Sequence, residues 1–499
     1  MLFSSYIFLF MFLPAALLLY YLMPARGRNL TLTGLSYFFY GWANPYFTLL
    51  LFGSTTITYY CAHAMARRPG EPATGELPLL DGDDPASLRQ KAAFWLAITA
   101  NLSLLGFFKY FHFGIDNLNA LLASLGLEHL RVEGLFRIAL PLGISFYVFK
   151  MVSYTIDVWQ GSVRATRSFI DFACYVAMFP QLIAGPIVRY RDVAVQLASR
   201  THSLEKFARG TTFMCLGLAK KILLADPCGK VADTCFNAAT LNAFDAWYGL
   251  FAYTMQIYFD FSAYSDMAIG VCLMFGFAIA KNFDSPYLAD SFADFWRRWH
   301  ISLSTWLRDY LFTPLNYMLL TDKVRERMVR EKFRYNYPAI ASSVIVFTIC
   351  GIWHGAGWTF AAWGTMHGVL LGLEQLRTRK SGYWKLPKPV RVCCTFIPVS
   401  LAWVFFRAAD LGSAFGYFGS MFGLRDKNAG TDLVAGVIYQ PYYLLSIAVA
   451  AVLVWSAPQT WDFTSSLNWK KAAWCYGLLL LSIATLVTKA HSPFIYSAF

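Results

Sequence analysis

Long apolar runs separated by short polar segments dominate the chain. A helix needs about 20 apolar residues to cross the hydrocarbon core of a bilayer, and several of the runs could hold two crossings or a broken one. No ten-residue alternation of the transmembrane barrel type is visible. The pattern predicts an all-α polytopic membrane protein with about 10 to 12 transmembrane helices plus re-entrant or interfacial helices. The apolar runs cover residues 4–24, 30–64, 92–113, 136–158, 205–225, 245–280, 338–376, 391–406, 441–456 and 472–488.

The polar segments between the runs predict the side of the membrane on which they lie. Residues 67–91 are rich in proline and glycine and read as a flexible cytoplasmic loop, and residues 321–335 and 377–391 are rich in Lys and Arg. Basic loops stay on the cytoplasmic side by the positive-inside rule. The same rule predicts that Arg26 and Arg28, which follow the first apolar run, are cytoplasmic.

One stretch, residues 179–190, is too short and too interrupted to cross the membrane as a regular helix. Pro180, Gly185 and Pro186 break it. We predict a re-entrant or broken segment, which is tolerated only where protein or a water-filled cavity covers the free backbone groups. The alternative is a turn that ends a helix and leads into a basic loop.

The composition agrees with a membrane protein. Hydrophobic residues make up 57% of the chain and charged residues 14%, and the mean hydropathy is +0.45; soluble proteins carry about 25% charged residues. The net charge of +13 reflects cytoplasmic loops and anionic lipid headgroups, so it predicts membrane lipids and no nucleic acid as partners. The ten cysteines form no C-x-x-C pair that would predict a metal or redox site.

The most unusual apolar stretch runs over residues 348–358 and contains His354, which lies between Trp353 and the small residues Gly355 to Gly357. An ionisable side chain at membrane depth is expensive and is read first as a functional candidate. The glycines admit a ligand or another backbone and could open a local cavity. Alternatively, His354 is a packed histidine hydrogen-bonded to a neighbouring helix, and the glycines serve helix contact.

Two acids interrupt the apolar run near residue 260. Asp260 and Asp266 are six apart, so they lie on different faces of a helix. Buried acids need partners, and we expect Arg297, Arg298 or Arg308 to supply them. Structural ion pairing is at least as strong an explanation of both acids as catalysis.

A dense polar and aromatic cluster follows at residues 295–310. His300 falls three residues after Arg297 and four before Ser304, which places the three on one face of a predicted helix beside Trp299. Such an amphipathic, aromatic-rich helix fits an interface or the lining of a funnel. The alternative is a cationic helix that only anchors the bundle.

Histidine is the usual base when an acyl group is transferred to a hydroxyl, because its pKa lies near neutrality. The chain has no Gly-x-Ser-x-Gly elbow, phosphate-binding glycine loop or H-E-x-x-H zinc motif. Any such chemistry therefore falls to His354, with His300 as its nearest rival. His367, in Trp363-Gly-Thr-Met-His-Gly368, is expected to be structural.

Five ordered blocks together resemble the membrane-bound O-acyltransferase family, and within it the membrane subunit of bacterial alginate O-acetylation systems. The resemblance covers most of the chain and is weakest in the last hundred residues. The blocks are Pro141-Leu-Gly-Ile-Ser-Phe-Tyr147, Gln181 to Arg189, Tyr258 to Gly270, Phe295 to Tyr310 and Gly351 to Trp358.

The resemblance implies one domain over residues 1–499, with the site within about 136–376, C-terminal helices at about 391–499 and a central funnel through the bacterial inner membrane. It implies that His354 is catalytic and His300 its companion. We expect no metal and no bound cofactor, with acetyl-CoA as the acyl donor. We expect these residues to bind substrate: Trp353, Arg297, Arg298, Trp299, Ser304, Asp260 and Asp266.

The implied reaction transfers acetyl from cytoplasmic acetyl-CoA toward a periplasmic polysaccharide acetyltransferase that works with a polysaccharide synthase and secretion complex. The sequence departs from the alginate pattern at residues 312–319, where Phe312-Thr-Pro-Leu-Asn-Tyr-Met-Leu stands in place of a glycine-rich loop. Cellulose or another secreted glycan is therefore as credible an acceptor as alginate. His354 either deprotonates the acceptor hydroxyl or itself carries the acetyl group.

Two other classes of function stay open at this point. Broken helices such as residues 179–190 also bind substrates in transporters or lipid-handling bundles that perform no covalent step. A relative could instead pass D-alanine from a carrier protein to a wall polymer.

Overall fold

The structure is a computed structural model, and the secondary structure in its described residues is helical without any β-strand. The expected all-α membrane architecture is confirmed. The predicted loop at 67–91 lies largely outside the described residues, as do 331–335 and 377–381 of the two basic loops. The described residues are 2–42, 44–66, 77–80, 86–134, 138–183, 185–330, 337–376, 382–424 and 430–488.

The helices fall into two compact units. The first comprises Met1–Gly210 and Ala268–Ala280, and the second Thr211–Met267 and Lys281–Phe499. The first unit contains α1 Leu13–Leu22, α2 Arg28–Gly41, α3 Tyr46–Ala66, α4 Leu88–Ser124, α5 Ile144–Trp159, α6 Phe169–Ala177 and α7 Tyr190–Ala198. Two helices have residues in both units: α8 Leu204–Ala219 and α10 Ala243–Met274.

The second unit carries most of the later helices. They are α9 Asp226–Phe236, α11 Phe292–Arg298, α12 Ile301–Leu307, α13 Thr313–Leu319, α14 Asp322–Arg330, α15 Tyr337–His354, α16 Trp358–Gln375, α17 Lys388–Arg407, α18 Leu411–Met421, α19 Gly430–Ile438, α20 Pro441–Ser456, α21 Thr460–Phe463 and α22 Trp469–Thr488. Short 3₁₀ turns occupy Ala25–Gly27, Glu128–Leu130, Phe179–Gln181, Pro286–Leu288 and Gly382–Lys385, and π-helical segments occupy Ile7–Phe12, Lys220–Ala225 and Arg308–Phe312.

Four helices in the described ranges are long and apolar enough to cross a membrane: α4, α15, α17 and α22. Two shorter apolar segments, Ile7–Leu22 and Pro441–Ser456, accompany them. On α4, the large side chains of Trp95, Leu96 and Phe107 are exposed. Such a helix is suited to contact with lipid, because its outer side chains are apolar and its backbone polar groups are hydrogen-bonded within the helix.

The broken segment predicted at residues 179–190 is present. Helix α6 ends at Ala177 and α7 begins at Tyr190, and the described residues between them form only one 3₁₀ turn. Residues 179–183 and 185–188 are buried, and the Phe179 ring packs against the rings of Phe8, Phe12, Phe39 and Phe275. Protein covers this irregular backbone, which is the condition under which such a segment is tolerated in a bilayer. The alternative of a helix-ending turn that leads into a basic loop is wrong, because the segment leads into α7.

Helices α15 and α16 form a hairpin whose backbones touch. A Cβ at Gly351 would clash with the Phe360 carbonyl oxygen, and a Cβ at Gly364 would clash with that of Phe347. Phe360 also fills the space beside Gly355. The expectation that Gly351 and Gly355 open a cavity for a ligand is wrong. They serve close helix contact, which small residues permit in membrane bundles.

Replacing Gly351 with alanine should destabilise the protein, because the new methyl group must displace backbone atoms. Overpacking of this kind costs about 1–3 kcal/mol. Gly53→Ala in α3 is the matched control, since no atom lies within 4 Å of a Cβ there, and alanine gains up to about 1 kcal/mol of helix propensity. The apparent midpoint of thermal unfolding, at one heating rate, should fall only for Gly351→Ala. Equal midpoints for the two variants would contradict the close packing.

Candidate active site

His354 is the last residue of α15, and only a three-residue turn separates it from α16. Its side chain is 5% exposed. The imidazole makes edge-to-face contacts with three aromatic rings, at centroid distances of 4.7 Å to Trp353, 5.1 Å to Trp363 and 5.4 Å to Phe406. The last backbone carbonyls of a helix carry partial negative charge, so His354 lies where a positive charge on the ring is stabilised.

Trp363 lies at the centre of an aromatic cluster, which we define as His354, Trp363, His367, Trp403, Phe406, Trp299, Phe295 and Trp296. The Trp363 ring is 5.1 Å from His354 and 5.0 Å from His367, and it stacks on Trp403 at 5.6 Å. Trp403 in turn lies 5.1 Å from Trp299. These buried rings exclude water from the surroundings of His354, which strengthens electrostatic interactions there.

His367 belongs to this cluster, although the sequence pattern suggested only a structural role. It is fully buried, and its Nδ1 accepts a hydrogen bond from the Trp296 indole at 3.4 Å. Its Nε2 is buried with no hydrogen-bond partner among the described residues. The signal that could have found it is spacing: His367 follows Trp363 by four residues, on the same face of α16.

The segment around His300 is not the single helix that its pattern predicted. Helix α11 ends at Arg298 and α12 begins at Ile301, with Trp299 in extended backbone and His300 in the left-handed region at φ +43°. The cause is Asn282, which comes earlier in the chain. Its carbonyl oxygen accepts the Ile301 N–H at 2.9 Å, and its side-chain oxygen accepts the backbone N–H of residue 302 at 3.2 Å. This capping from outside starts a new helix after His300.

His300 is a neutral imidazole whose protonated nitrogen is fixed by its surroundings. Its side chain is 1% exposed, and Nδ1 lies 3.2 Å from the Asn282 side-chain oxygen. That oxygen can only accept, so Nδ1 carries the proton and Nε2 keeps its lone pair. Nε2 has no hydrogen-bond partner among the described residues. Burial lowers the pKa of His300 to about 3, so the ring stays uncharged near neutral pH.

The backbone of His300 is strained, since a left-handed conformation costs a residue other than glycine about 1–3 kcal/mol. Such strain persists only where neighbouring contacts enforce it, and it is concentrated at functional sites. A chain of packed rings connects His300 to His354. The rings in order are Phe283 (6.4 Å from His300), Trp299, Trp403 and Trp363.

Asn282→Ala should destabilise the protein by about 1–3 kcal/mol, because it removes the acceptor of the buried His300 Nδ1–H and of the half-buried backbone N–H of Ser302. It should also release the His300 ring from its fixed orientation. Asn237→Ala is the control, since Asn237 is exposed at the end of α9. Thermal unfolding of the two purified variants measures the difference. Equal unfolding midpoints of Asn282→Ala and Asn237→Ala would show that Asn282 does not stabilise the break between α11 and α12.

The other candidates near the break have different surroundings. Arg298 forms an ion pair with Asp294 at 2.8 Å, and the Ser304 hydroxyl donates to the Trp299 carbonyl at 3.2 Å. Both contacts brace the turn that carries His300. Arg297 is exposed. Of the predicted substrate-binding residues, Trp299 belongs to the aromatic cluster, and Trp353 contacts it through His354.

Asp260 and Asp266 are held by two consecutive lysines. Lys221 Nζ lies 2.8 Å from both Asp260 and Asp226, and Lys220 Nζ lies 2.7 Å from Asp266. The two acids lie on different faces of α10, as their spacing predicted, and each receives its own lysine. This geometry favours the structural explanation of both acids.

The expected arginine partners for these acids are wrong. Arg298 pairs with Asp294, and Arg308 pairs with Asp309 at 2.9 Å. The signal that was overlooked is Lys220-Lys221 inside the apolar run at 205–225, because lysines in an apolar segment need acidic partners of their own.

Comparison with known proteins gives consistent matches. The model of MBOAT, the membrane-bound O-acyltransferase family, matches residues 93–381. The chain is 44% identical over 429 residues to the probable alginate O-acetylase AlgI of Azotobacter vinelandii, covering 85% of this chain and 79% of that protein. It is 38% identical over the whole length of both chains to the protein of the same name from Pseudomonas putida. A peptidoglycan O-acetyltransferase of Helicobacter pylori is 35% identical over 85% of this chain and 80% of its own.

Proposed function

Because the chain belongs to the membrane-bound O-acyltransferase family, we propose that this multi-pass membrane O-acyltransferase transfers acetyl groups toward a secreted polysaccharide. The names of its relatives support this acceptor class, because one is a probable alginate O-acetylase and another a peptidoglycan O-acetyltransferase. Alginate and peptidoglycan are both glycans. Alginate is the first polymer to test and cellulose the second. The stretch at residues 312–319, which departs from the alginate pattern, forms α13 from Thr313 onward.

The observation that carries the proposal is the position of His354. It is a buried imidazole at the C-terminal end of a helix, enclosed by the rings of Trp353, Trp363 and Phe406. A base for acyl transfer must take a proton and hold the resulting charge until it passes the proton on. The helix end favours that charge, and the rings keep water from competing with the acceptor hydroxyl.

The proposed step keeps atoms and charge in balance. His354 accepts the proton of the acceptor hydroxyl while the oxygen attacks the carbonyl carbon of the acetyl thioester. A carbon–oxygen bond forms, the carbon–sulfur bond breaks, and the thiolate that leaves takes the proton from the imidazolium. We propose acetyl-CoA as the donor, reached from the cytoplasm. His300, neutral and held by Asn282, is proposed as a companion that shapes the pocket.

We further propose that the protein lies in the bacterial inner membrane and delivers acetyl to a periplasmic polysaccharide acetyltransferase linked to a synthase and secretion complex. This arrangement follows from the chemistry, because the thioester is made in the cytoplasm whereas a secreted glycan is reached outside it. The basic segments of the chain support the orientation by the positive-inside rule.

The test uses cells that lack their own copy of the gene and carry either this chain or an empty vector. Membranes from these cells receive acetyl-CoA with a labelled acetyl group together with the acceptor glycan, and the glycan is analysed by mass spectrometry. We expect alkali-labile acetyl esters only with the chain. Esters of D-alanine would favour the carrier-protein alternative. Movement of polymer or lipid without any new ester would favour a transporter and contradict the proposal.

A further inference from the structure

A cavity of about 390 Å³ lies in the first unit, where the turn Ala25–Gly27 leads into α2. Its wall is strongly basic. The side chains of Arg26, Arg28 and Arg200 line it, against one carboxylate, Asp171. The complete lining is Ala25, Arg26, Arg28, Asn29, Ser168, Ile170, Asp171, Leu197, Ala198, Ser199, Arg200 and His202.

One carboxylate cannot neutralise the three arginines. Asp171 Oδ1 accepts a hydrogen bond from the Asn29 amide at 2.5 Å. No ion pair of the described residues involves Arg28 or Arg200. The lining of the cavity therefore carries an excess of positive charge, three arginines against one carboxylate.

Neighbouring groups hold both guanidinium groups in place. Arg200 donates from Nε to the Tyr20 hydroxyl and from Nη1 to the Asn29 side-chain oxygen, both at 2.7 Å. Arg28 Nη1 lies 3.2 Å from His202 Nδ1, and the Arg28 guanidinium packs 5.5 Å from the centre of the Tyr20 ring. The arginines are preorganised, so a ligand would bind without having to order them.

Each of these arginines also keeps one buried donor without a partner. Arg28 Nε and Arg200 Nη2 are shielded from solvent, and neither has a hydrogen-bond partner among the described residues. A charged donor left unpaired is costly, so both guanidinium groups keep unused hydrogen-bonding capacity beside the cavity. Helix α2 adds to the demand, because it begins at Arg28 without a side-chain cap and its N-terminus favours an anion.

We propose that this cavity binds the phosphate group of an anionic ligand. Arginine forks fit phosphate oxygens with paired hydrogen bonds, and basic pockets beside transmembrane helices hold lipid headgroups. Arg26 and Arg28 are predicted to be cytoplasmic, where two sources of phosphate are available: an anionic phospholipid headgroup, or a soluble organic phosphate such as coenzyme A. Binding is measured without turnover, so its outcome is separate from that of the proposed acetyl transfer.

The experiment uses the purified full-length chain and compares Arg28→Gln with wild type. One arm measures retained phosphatidylglycerol relative to phosphatidylcholine by native mass spectrometry. The other titrates coenzyme A against protein in phosphatidylcholine nanodiscs. We expect Arg28→Gln to weaken binding about tenfold or more in one of the arms, which identifies the source. Arg28→Lys should retain part of the affinity, because it keeps the charge and loses the fork.

Arg131→Gln is the matched control, since Arg131 is an exposed arginine of the same unit, paired with Glu128. Arg28→Gln is preferred to a change at Arg200, which also supports Tyr20 and Asn29. If Arg28→Gln fails to fold, competition of pyrophosphate with either ligand on the wild-type protein decides the question. Unchanged binding in both arms, an equal effect of Arg131→Gln, or no competition by pyrophosphate would each overturn the proposal.

Discussion

Replacing His354 with alanine is expected to lower acetylation of the secreted glycan at least about 100-fold, the lower bound for loss of a general base. The variant removes the one group in the aromatic cluster that lies at a helix end and can take a proton there. His354→Gln, which keeps a polar side chain of similar length, should be equally inactive, since an amide does not accept a proton at neutral pH.

Mass spectrometry of the glycan measures this effect, and the amount of protein in the membrane is measured in the same cells. His129→Ala is the control because His129 is exposed on a surface turn, and it should leave acetylation unchanged. Acetylation within a few fold of wild type in His354→Ala would remove His354 from the chemistry. If His354→Ala is lost from the membrane, its low acetylation reflects a folding defect. His354→Gln, measured at a normal amount in the membrane, then tests the role of the imidazole.

Replacing Lys221 with methionine is expected to lower the free energy of unfolding by about 3–5 kcal/mol, because breaking a buried ion pair leaves a charge unpaired. Lys221 and Asp260 are 3% and 1% exposed, and Lys221 Nζ lies 2.8 Å from both Asp260 and Asp226. Methionine fills a similar volume, so the effect isolates the lost charge from lost packing. The purified variant should unfold at a clearly lower temperature.

A control variant and a rescue variant test whether the loss of stability comes from the unpaired charge. Lys230→Met changes an exposed lysine of α9 and should shift the unfolding temperature little. The triple variant Lys221→Met, Asp226→Asn and Asp260→Asn removes all three charges and should recover part of the loss, since neighbouring substitutions of this kind are not additive. A stability of Lys221→Met equal to that of Lys230→Met would mean that the ion pairs contribute nothing.

The apolar pattern predicted the hairpin of α15 and α16 in the second unit. The apolar run at 338–376 is long enough for two helices, and it forms α15, which ends at His354, and α16, which carries His367. Helical periodicity and spanning length are local properties, so a sequence reveals them. The broken segment after α6 was likewise predictable, because prolines and glycine act on their own backbone.

Features set by distant residues could not be predicted in this way. The turn at His300 depends on Asn282, eighteen residues earlier, which caps α12 and overrides a pattern that favoured one helix. The partners of Asp260 and Asp266 come from another helix, and residue type alone did not distinguish lysine from arginine. The glycines around His354 allowed either a cavity or helix contact, and only the packing of Phe360 decided it.

The most direct test of the role of His354 is a single-turnover measurement on purified protein in nanodiscs. Wild type or His354→Gln, in excess over a limiting amount of acetyl thioester, is mixed with a soluble hydroxyl acceptor, and thioester binding and ester formation are followed separately. The account predicts that His354→Gln binds the thioester normally but forms ester at least about 100-fold more slowly. Ester formation by His354→Gln at the wild-type rate would contradict it.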